Sequence, residues 1–304
     1  MLACAGFVAA QDYLDIRRYN NIYEINILPG RPPKPGDGYT TREMNKCQAV
    51  RLSKEWFITS KHCFENSCGI GGCTVQARLL VGPSYEMVWQ VYASSILDDV
   101  IRIYQPSGAD KDNIAYDIAL VKFPEGKAEH IFFAGPYRGS DPAFLEQFGV
   151  SSMDIGQAIS GGNFPKLLLL KAETPKVLNR HLAVVSKWGS SAEVLASYGP
   201  VYYSPQKHYL FTDNFGIRSG ISGSGVFTSS GELVGVVSAT GYLKRGASAG
   251  DLNYTFLTVF NEDVLGFINR NVGRVDSKTS DMSYMGVIPE DNRPLVFGVI
   301  EAIT

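Results

Sequence analysis

Short apolar runs separated by turn-forming residues recur along most of the chain. The runs are rich in valine, isoleucine, leucine, tyrosine and phenylalanine, and glycine or proline stands between many of them. β-Branched and aromatic residues suit pleated, half-buried strands, whereas glycine and proline mark the turns that join strands. The pattern therefore predicts an all-β sandwich or barrel. The candidate strands are Tyr23–Leu28, Cys47–Leu52, Trp56–Thr59, Val75–Val81, Met87–Tyr92, Val100–Tyr104, Ile118–Phe123, Lys166–Lys171, His181–Lys187, Val201–Tyr203, Gly225–Thr228, Leu233–Ala239 and Tyr254–Phe260.

One segment near the end of the chain departs from this pattern. Residues 261–270 carry apolar side chains from Val264 to Ile268 at helical spacing, behind Asn261 as an N-cap and two acidic residues in the first turn. These signals predict a helix of about three turns. Residues 273–304 form a tail that is polar at first and apolar from Pro294 to Ile303, and we expect it to add a strand or to cover an edge.

A stretch rich in glycine and proline divides the chain near its middle. It runs from Gly135-Pro136 to Asp141-Pro142 and has the composition of a linker. We therefore expect an N-terminal domain over residues 21–138 and a C-terminal domain over residues 139–272, the second including the predicted helix.

The composition is that of an ordinary globular protein. The chain has 304 residues, of which 45% are hydrophobic and 19% charged, enough for one large domain or two smaller ones. Its net charge of -2 gives no electrostatic reason to expect nucleic acid or an anionic membrane as a partner. No stretch approaches the roughly 20 apolar residues needed to cross a bilayer. No phosphate loop or dinucleotide-binding turn is found, and we expect no cofactor.

The first residues have the character of a secretory leader. Residues 1–10 resemble the end of its apolar region, and Val8 and Ala10 are small enough for cleavage before Gln11. The basic region that normally precedes is missing, so we interpret residues 1–20 as a signal-peptide remnant and an N-terminal segment. The alternative is an apolar N-terminus packed on the domain.

The cysteine count also favours a secreted protein. Removing Cys4 with the leader leaves four, an even number that suits two disulfides in an oxidising environment. Four cysteines allow three pairings, and their spacing does not choose among them. A zinc site that includes His62 is the alternative, although the paired Cys-x2-Cys spacing of common structural zinc sites is missing, and we expect no metal. The cysteines are Cys4, Cys47, Cys63, Cys68 and Cys73.

Three strings supply the groups that make a weak hydroxyl nucleophilic. A nucleophilic serine needs a histidine as general base and a carboxylate that orients the histidine. Glycines beside the serine allow a sharp turn in which backbone N–H groups converge on a developing oxyanion. In chain order the strings are Ser60-Lys61-His62-Cys63, Tyr116-Asp117-Ile118-Ala119-Leu120 and Gly220-Ile221-Ser222-Gly223-Ser224-Gly225.

These strings resemble those of the chymotrypsin/trypsin family of serine peptidases. The segment from Cys47 to Cys63 looks like the part of the family that carries the catalytic histidine, and Tyr116–Leu120 is similar to its Asp-Ile-Ala-Leu string. Gly220–Gly225 resembles the loop of the nucleophile, and Gly231–Ser238 the strand that follows. The likeness spans about residues 45–272. It is closer to bacterial secreted members, such as glutamyl endopeptidases, than to digestive trypsins.

The resemblance implies a fold and a disulfide pairing. The expected fold is two antiparallel six-stranded β-barrels of the chymotrypsin type with a C-terminal helix, and the active site lies in the cleft between the barrels. The pairing it implies is Cys47 with Cys63 and Cys68 with Cys73. The first of these bridges would hold the catalytic histidine's segment in place.

The resemblance also implies a role for each reactive group. His62 is the expected general base, Asp117 its orienting carboxylate and Ser222 the nucleophile, while Ser224 belongs to the bacterial form of the motif and does not react. The N–H groups of Gly220 and Ser222 are the expected oxyanion hole. Ser238 would support Asp117 from behind, and residues 238–240 would bind the substrate backbone as an added strand. The expected substrate-binding residues are Gly216, Ile217, Ser219, Ser238, Ala239 and Thr240.

One departure from the family concerns activation. Ile221 stands where trypsins have an aspartate that receives the new N-terminus after zymogen cleavage. We therefore expect the trypsin activation switch to be absent.

The remaining departures concern specificity. Gly216 leaves no charge at the base of the predicted pocket, Ala239-Thr240 replaces the usual Trp-Gly of its wall, and Val237 replaces the histidine of glutamyl-specific members. These residues argue against cleavage after Arg, Lys or Glu and favour small or medium apolar side chains. A charged pocket remains the alternative if shifted loops bring Asp213 or Asp251 into it.

The sequence thus predicts a secreted or periplasmic serine endopeptidase that acts as a monomer on protein or peptide substrates, without nucleic acid or membrane as a partner. The alternative is a catalytically silent homologue that binds proteins through its loops. An α/β-hydrolase is excluded on two grounds. Those enzymes have glycine two residues after the nucleophilic serine, where this chain has Ser224, and their triad runs Ser, Asp, His along the chain, whereas here the order is His, Asp, Ser.

Overall fold

The computed structural model describes eighteen stretches of the chain. They are residues 21–31, 44–65, 67–80, 85–95, 99–106, 116–124, 129–133, 164–171, 176–178, 182–188, 191–197, 201–204, 209–213, 220–228, 231–244, 252–281, 286–287 and 296–302. The predicted leader and the predicted linker lie outside them.

The first half of the chain forms one curled antiparallel sheet of eight strands. Their order in the sheet is β6-β7-β3-β2-β1-β4-β5-β8. Each strand is antiparallel to its neighbours. A short helix, α1, follows β3 at His62–Glu65. The strands are β1 Ile22–Pro29, β2 Asn45–Arg51, β3 Trp56–Thr59, β4 Cys73–Leu80, β5 Tyr85–Ala93, β6 Ile101–Ile103, β7 Ala119–Lys122 and β8 Glu129–Phe133.

The second half forms a sheet of twelve strands followed by one helix. Its main path runs β12-β11-β15-β16-β17-β14-β13-β10-β19, with β9, β18 and β20 attached beside it. The helix, α2, spans Glu262–Val272. The strands are β9 Leu167–Lys171, β10 Lys176–Leu178, β11 Leu182–Trp188, β12 Ser191–Ser197, β13 Val201–Ser204, β14 Tyr209–Asp213, β15 Gly225–Thr228, β16 Leu233–Lys244, β17 Leu252–Val259, β18 Ser277–Asp281, β19 Gly286–Val287 and β20 Val296–Ala302.

The predicted fold class is confirmed: the described chain is mostly strands in two curled sheets with a C-terminal helix. Each predicted run overlaps an observed strand. The sheets contain more strands than the six predicted for each, and β9 pairs in parallel with both β16 and β18 instead of antiparallel. The extra strands include β8, β12 and β19, which end the two strand paths.

The C-terminal helix begins where the sequence predicts. The Asn261 side chain accepts a hydrogen bond from the Val264 N–H at 2.9 Å, which satisfies one of the free donors of the first turn. Val264, Phe267 and Ile268 are buried, and Gly273 ends the helix at a φ of 93°. The helix extends two residues beyond the predicted Arg270. The tail then adds β18, β19 and β20 to the second sheet.

The interior of the first sheet is an aromatic cluster around one buried cation. The ring of Tyr23 meets Phe57 edge-on at 4.8 Å and Trp89 at 5.2 Å between centroids. The Arg51 guanidinium lies 5.5 Å from the Phe57 ring and 5.4 Å from the Trp89 ring, and it donates to the carbonyls of Ser53 and Lys54. Burial raises the pKa of the Tyr23 phenol, which Arg51 partly opposes. The buried charge is thus compensated by hydrogen bonds and ring faces.

A second apolar cluster joins the two halves of the molecule. It combines residues from β1, β2, β3 and β7 of the first sheet with residues from β9, β11, β15 and β16 of the second and with α2. Continuous burial across this boundary fixes the relative position of the two sheets, since interiors pack as densely as organic crystals. Representative members are Ile22, Val50, Ile58, Leu120, Leu167, Val185, Phe227, Val236, Phe260 and Ile268.

Two disulfides brace the first half, in the predicted pairing. Cys47 in β2 is bonded to Cys63 in α1, and Cys68 to Cys73 at the start of β4. All four cysteines are thus disulfide-bonded in the structure. Among the described residues, no group of three or more His, Cys, Asp or Glu side chains could hold a metal ion. No helix within the same ranges is long and apolar enough to span a membrane.

We expect loss of the Cys47–Cys63 bridge to destabilise the protein more than loss of the Cys68–Cys73 bridge. The sequence separations are 16 and 5 residues. In the chain-entropy account these loops correspond to about 3 and about 2 kcal/mol of unfolding free energy. Urea unfolding of Cys47→Ala/Cys63→Ala and of Cys68→Ala/Cys73→Ala measures both. A larger loss from the shorter loop would contradict the expectation.

Candidate active site

The segment that carries His62 is fixed at both ends. β3 ends at Thr59, and the chain turns at once into α1, which begins at His62. The next residue, Cys63, is tied to Cys47 of β2 by the first disulfide. The Ser60 hydroxyl also donates to the Val237 carbonyl of the second sheet at 2.7 Å. The backbone at His62 is therefore held after it by the disulfide at Cys63 and before it by the hydrogen bond from Ser60 to the second sheet.

The pairing of β3 with β7 brings Asp117 beside His62. The two strands are antiparallel, with Thr59 opposite Ala119. The chain leaving β3 and the chain entering β7 are therefore neighbours, although His62 and Asp117 are 55 residues apart in sequence. One carboxylate oxygen of Asp117 accepts from the His62 backbone N–H at 2.9 Å.

The structure brings the three predicted catalytic side chains together. The His62 Nδ1 atom lies 2.6 Å from Asp117 Oδ2, and His62 Nε2 lies 2.9 Å from Ser222 Oγ. All three residues are buried. The distances are those of hydrogen bonds, so the groups form one continuous chain from carboxylate to hydroxyl.

The carboxylate determines the tautomer of the imidazole. An ionised carboxylate only accepts hydrogen bonds, so His62 Nδ1 must carry the proton that lies between it and Asp117. In the neutral ring Nε2 is then an acceptor, and the Ser222 hydroxyl donates to it. This is the protonation state in which an imidazole can remove a proton from a serine.

Asp117 is held as a carboxylate by the groups around it. Burial by itself would raise the pKa of Asp117, but hydrogen bonds from the His62 side chain and backbone and the Ser238 hydroxyl, with the coulombic attraction of His62, hold that pKa below its ordinary value. The Ser238 hydroxyl and the His62 ring therefore bond to the same carboxylate oxygen, Asp117 Oδ2.

The loop around Ser222 is shaped by glycines. Gly220 and Gly223 have φ angles of 89° and 80°, a left-handed conformation that other residues rarely adopt. A Cβ atom on Gly223 would lie 2.2 Å from both the Gln48 carbonyl oxygen and the Thr59 hydroxyl of the first sheet. The glycine therefore allows the loop to pack directly on β2 and β3.

Ile221, directly before the predicted nucleophile, and Ser224, two residues after it, are both buried. Ile221 is fully buried, with no charge at that position to receive a new N-terminus. Ser224 is also fully buried, and its hydroxyl has no hydrogen-bond partner among the described residues, whereas Ser222 faces His62. This geometry favours Ser222 over Ser224 as the reactive hydroxyl.

Gln48, which the sequence analysis did not single out, bonds to the loop at Gly220 and at Ser222. Its backbone N–H donates to the Ser222 carbonyl at 2.7 Å, and its side-chain amide donates to the Gly220 carbonyl at 3.4 Å. Its own carbonyl accepts from the Thr59 hydroxyl at 2.6 Å. The available signal was a polar residue inside the apolar run at β2, since a buried polar side chain is more informative than an exposed one.

The predicted substrate-binding residues are only partly described. Gly216, Ile217 and Ser219 lie outside the described residues, as does Asp251. Ala239 is buried in β16 and Thr240 follows it in the same strand, just beyond a register shift between Val237 and Ala239. Asp213 is the last residue of β14, opposite Tyr254 of β17.

A family model supports the assignment of the fold. The model described as Trypsin matches residues 29–261, about three quarters of the chain. The match includes the strands and loops that carry His62, Asp117 and Ser222. No curated protein sequence matches the chain significantly.

Several solved structures resemble the fold. A thermostable serine protease from an extremophilic microorganism has a TM-score of 0.45 at 12% identity, over 84% of this chain and 96% of that protein. A Glu endopeptidase has a TM-score of 0.41 at 14% identity, over 84% and 92%. An inactivated protease paralogue of the scabies mite has a TM-score of 0.40 at 11% identity, over 85% and 96%.

The Asp117 carboxylate is expected to stabilise the fold above the ordinary carboxyl pKa and to lose this effect in acid. Because its folded pKa is lowered from 3.8, its contribution is present above that pH and disappears as the pH falls through the lower folded value. Thermal melting of wild type and Asp117→Asn should show a stability difference that narrows as the pH falls from about 5 towards 2.5. The control is Asp99→Asn, which removes an exposed carboxylate from a surface ion pair with Arg102. Its stability difference from wild type should be much smaller, because exposed ion pairs contribute little. A difference that is unchanged or widens over this range would contradict the account.

Proposed function

The chain belongs to the trypsin family of serine peptidases, and on that premise we propose that it is a secreted or periplasmic endopeptidase whose catalytic residues are His62, Asp117 and Ser222. The observation that carries the proposal is the unbroken hydrogen-bonded chain from Asp117 through His62 to Ser222. Two disulfides suit an oxidising compartment and so support the proposed location.

The proposed reaction passes through an acyl-enzyme. Ser222 Oγ attacks the carbonyl carbon of the substrate peptide while its proton moves to His62 Nε2. The protonated imidazole, stabilised by Asp117, then gives that proton to the leaving amine, and the C–N bond breaks. A water molecule attacks the ester, its proton passes to His62, and the ester bond breaks as Ser222 Oγ recovers a proton. Every proton is returned, so no cofactor is needed.

The negative charge on the substrate oxygen needs donors of its own. We assign this role to the backbone N–H groups of Gly220 and Ser222, which belong to the tight glycine turn. The left-handed backbone of Gly220 supports this assignment, because such turns let successive N–H groups converge on one anion. A single donor of this kind is commonly worth about 2.7–4 kcal/mol of transition-state stabilisation.

The substrate is proposed to be a polypeptide bound across the cleft between two domains, residues 21–138 and 139–272. Gly216, Ile217, Ser219, Ser238, Ala239 and Thr240 are the proposed contacts. All six residues are uncharged, which favours a small or medium apolar side chain before the cleaved bond. Buried, uncharged Ile221 supports a site that does not depend on a newly formed N-terminus.

A fluorophosphonate probe is expected to react with Ser222 in the wild-type protein. His62→Ala should lose labelling because the hydroxyl is then without its base, while Ser224→Ala should keep it. Mass mapping of the labelled peptide identifies the modified residue. Labelling that persists in His62→Ala would reject the general-base role. A wild-type protein that neither takes up the probe nor hydrolyses casein would favour the silent homologue that binds proteins.

Gln48 is expected to act as a positioning residue for the oxyanion donors. Gln48→Met keeps the backbone bond to Ser222 and the side-chain length but removes the amide that donates to Gly220. One hydrogen bond of this kind is worth about 0.5–1.5 kcal/mol, so kcat should fall up to roughly tenfold with KM unchanged.

The matched control is Gln76→Met, which removes a glutamine amide that donates to Gln90 in the first sheet. Steady-state kinetics on one peptide substrate should show normal kcat and KM for this variant. A rise in KM with normal kcat in Gln48→Met, or equal losses in both variants, would exclude the positioning role.

A further inference from the structure

One edge of β16 is shared by two different strands. The first part of β16 pairs with β15, with Gly225 opposite Val236. The ladder continues through the Gly223 N–H to the Val237 carbonyl and the Val237 N–H to the Ser224 carbonyl. The chain then leaves this edge in the turn that contains Ser222. Beyond Val237, β15 therefore offers no partner to β16.

The C-terminal strand occupies the edge that β15 leaves. β20 runs antiparallel to β16, with Ala302 opposite Ala239 and Glu301 opposite Thr240. The pairing extends to Val296 opposite Lys244, while β17 covers the other edge of the same stretch.

The direction of β20 relates it to the catalytic groups. As residue numbers rise from 296 to 302, the partners on β16 fall from Lys244 to Ala239. The strand thus runs towards Ser238, whose hydroxyl donates to Asp117. A chain on this edge in this direction approaches the reactive groups with its C-terminal end.

The edge that β20 covers includes the residues proposed to bind substrate. A peptide that adds to β16 opposite residues 238–240 needs the same backbone N–H and C=O groups that β20 uses, because one edge of a strand pairs with one partner at a time. Substrate and β20 cannot both be bound there.

We propose that residues 296–302 are a built-in, substrate-like occupant of the cleft, which the substrate must displace before it can pair with β16. The inference rests on the proposed function. The length of the paired edge, from Ala239 to Lys244, gives the substrate several residues of backbone contact before the cleaved bond. The segment then competes with substrate and lowers activity until it is displaced or removed.

Tethering makes such competition effective even when the segment binds weakly. An attached segment has an effective concentration on the order of 1 mM. If the free peptide bound with a dissociation constant of about 0.1 mM, the edge would be occupied about ten times as often as it is open. The apparent KM for a long substrate would then be raised about tenfold.

The first test compares the full chain with a chain that ends at residue 295 and with Glu301→Pro/Ala302→Pro. Successive N–H groups of a strand point in opposite directions, so one of two adjacent prolines must remove a donor that faces β16. Both variants should lower KM for fluorescent casein about tenfold, whereas Glu301→Ala/Ala302→Ser should resemble wild type.

A small activated ester provides the internal control for this comparison. p-Nitrophenyl acetate needs no strand pairing, so its hydrolysis should be the same in all four proteins. Equal KM for casein in all four, with equal ester hydrolysis, would overturn the proposal while leaving the peptidase assignment intact.

The second test does not depend on catalysis. A fluorescein-labelled peptide of residues 294–302 should bind to the Ser222→Ala chain that ends at residue 295. It should bind far more weakly to the full Ser222→Ala chain, in which the tethered segment already occupies the edge. A scrambled peptide of the same composition should bind to neither chain. Fluorescence anisotropy measures all three. Binding to the truncated chain without any peptidase activity in wild type would reject the proposed function and keep the pairing. Equal binding to both chains, or to neither, would reject the occupant.

Discussion

The hydrogen bonds between the nucleophile loop and the first sheet are the constraint on which the site depends. His62 and Asp117 come from the first half of the chain and Ser222 from the second, so their alignment to within one hydrogen-bond length needs the two halves to be fixed against each other. Gln48 bonds to the loop at Gly220 and at Ser222, and Ser60 donates to Val237. The shared apolar cluster supplies most of the contact between the two halves. The polar bonds fix where the nucleophile loop lies against the first sheet.

Local signals made much of the fold predictable from sequence. β3 and β15 begin and end where their apolar runs do, and α2 starts at the asparagine cap that the sequence displays. The strand β20 lay within the apolar end of the tail, but its partner did not follow from the pattern. Its pairing joins residues 296–302 to partners that lie 52 (296 − 244) to 63 (302 − 239) residues earlier, and no periodicity encodes such a distant register.

The site was predictable in its chemistry and less so in its support. His62, Asp117 and Ser222 stand in strings whose residue types suggest their roles, and the family resemblance connected them. Gln48 could not be assigned in this way, because its importance comes from the approach of a loop more than 170 residues away. Residues that position others carry no chemical label of their own in a sequence.

The strand β16 has two uses in the molecule. β16 supplies Ser238 to Asp117 at one point and an edge for β20 immediately afterwards. In the proposed enzyme, the same backbone that orders the catalytic groups would also receive the substrate. A tail that pairs with this edge therefore acts on binding and leaves the hydrogen-bonded triad unchanged.

The most direct test of the central claim is acid-quench kinetics with an activated ester, followed by mass mapping of the trapped protein. The account predicts a rapid burst of alcohol release equal to one per protein molecule, with the acyl group on Ser222 Oγ. Linear release with no burst and no acyl group on Ser222 would contradict it.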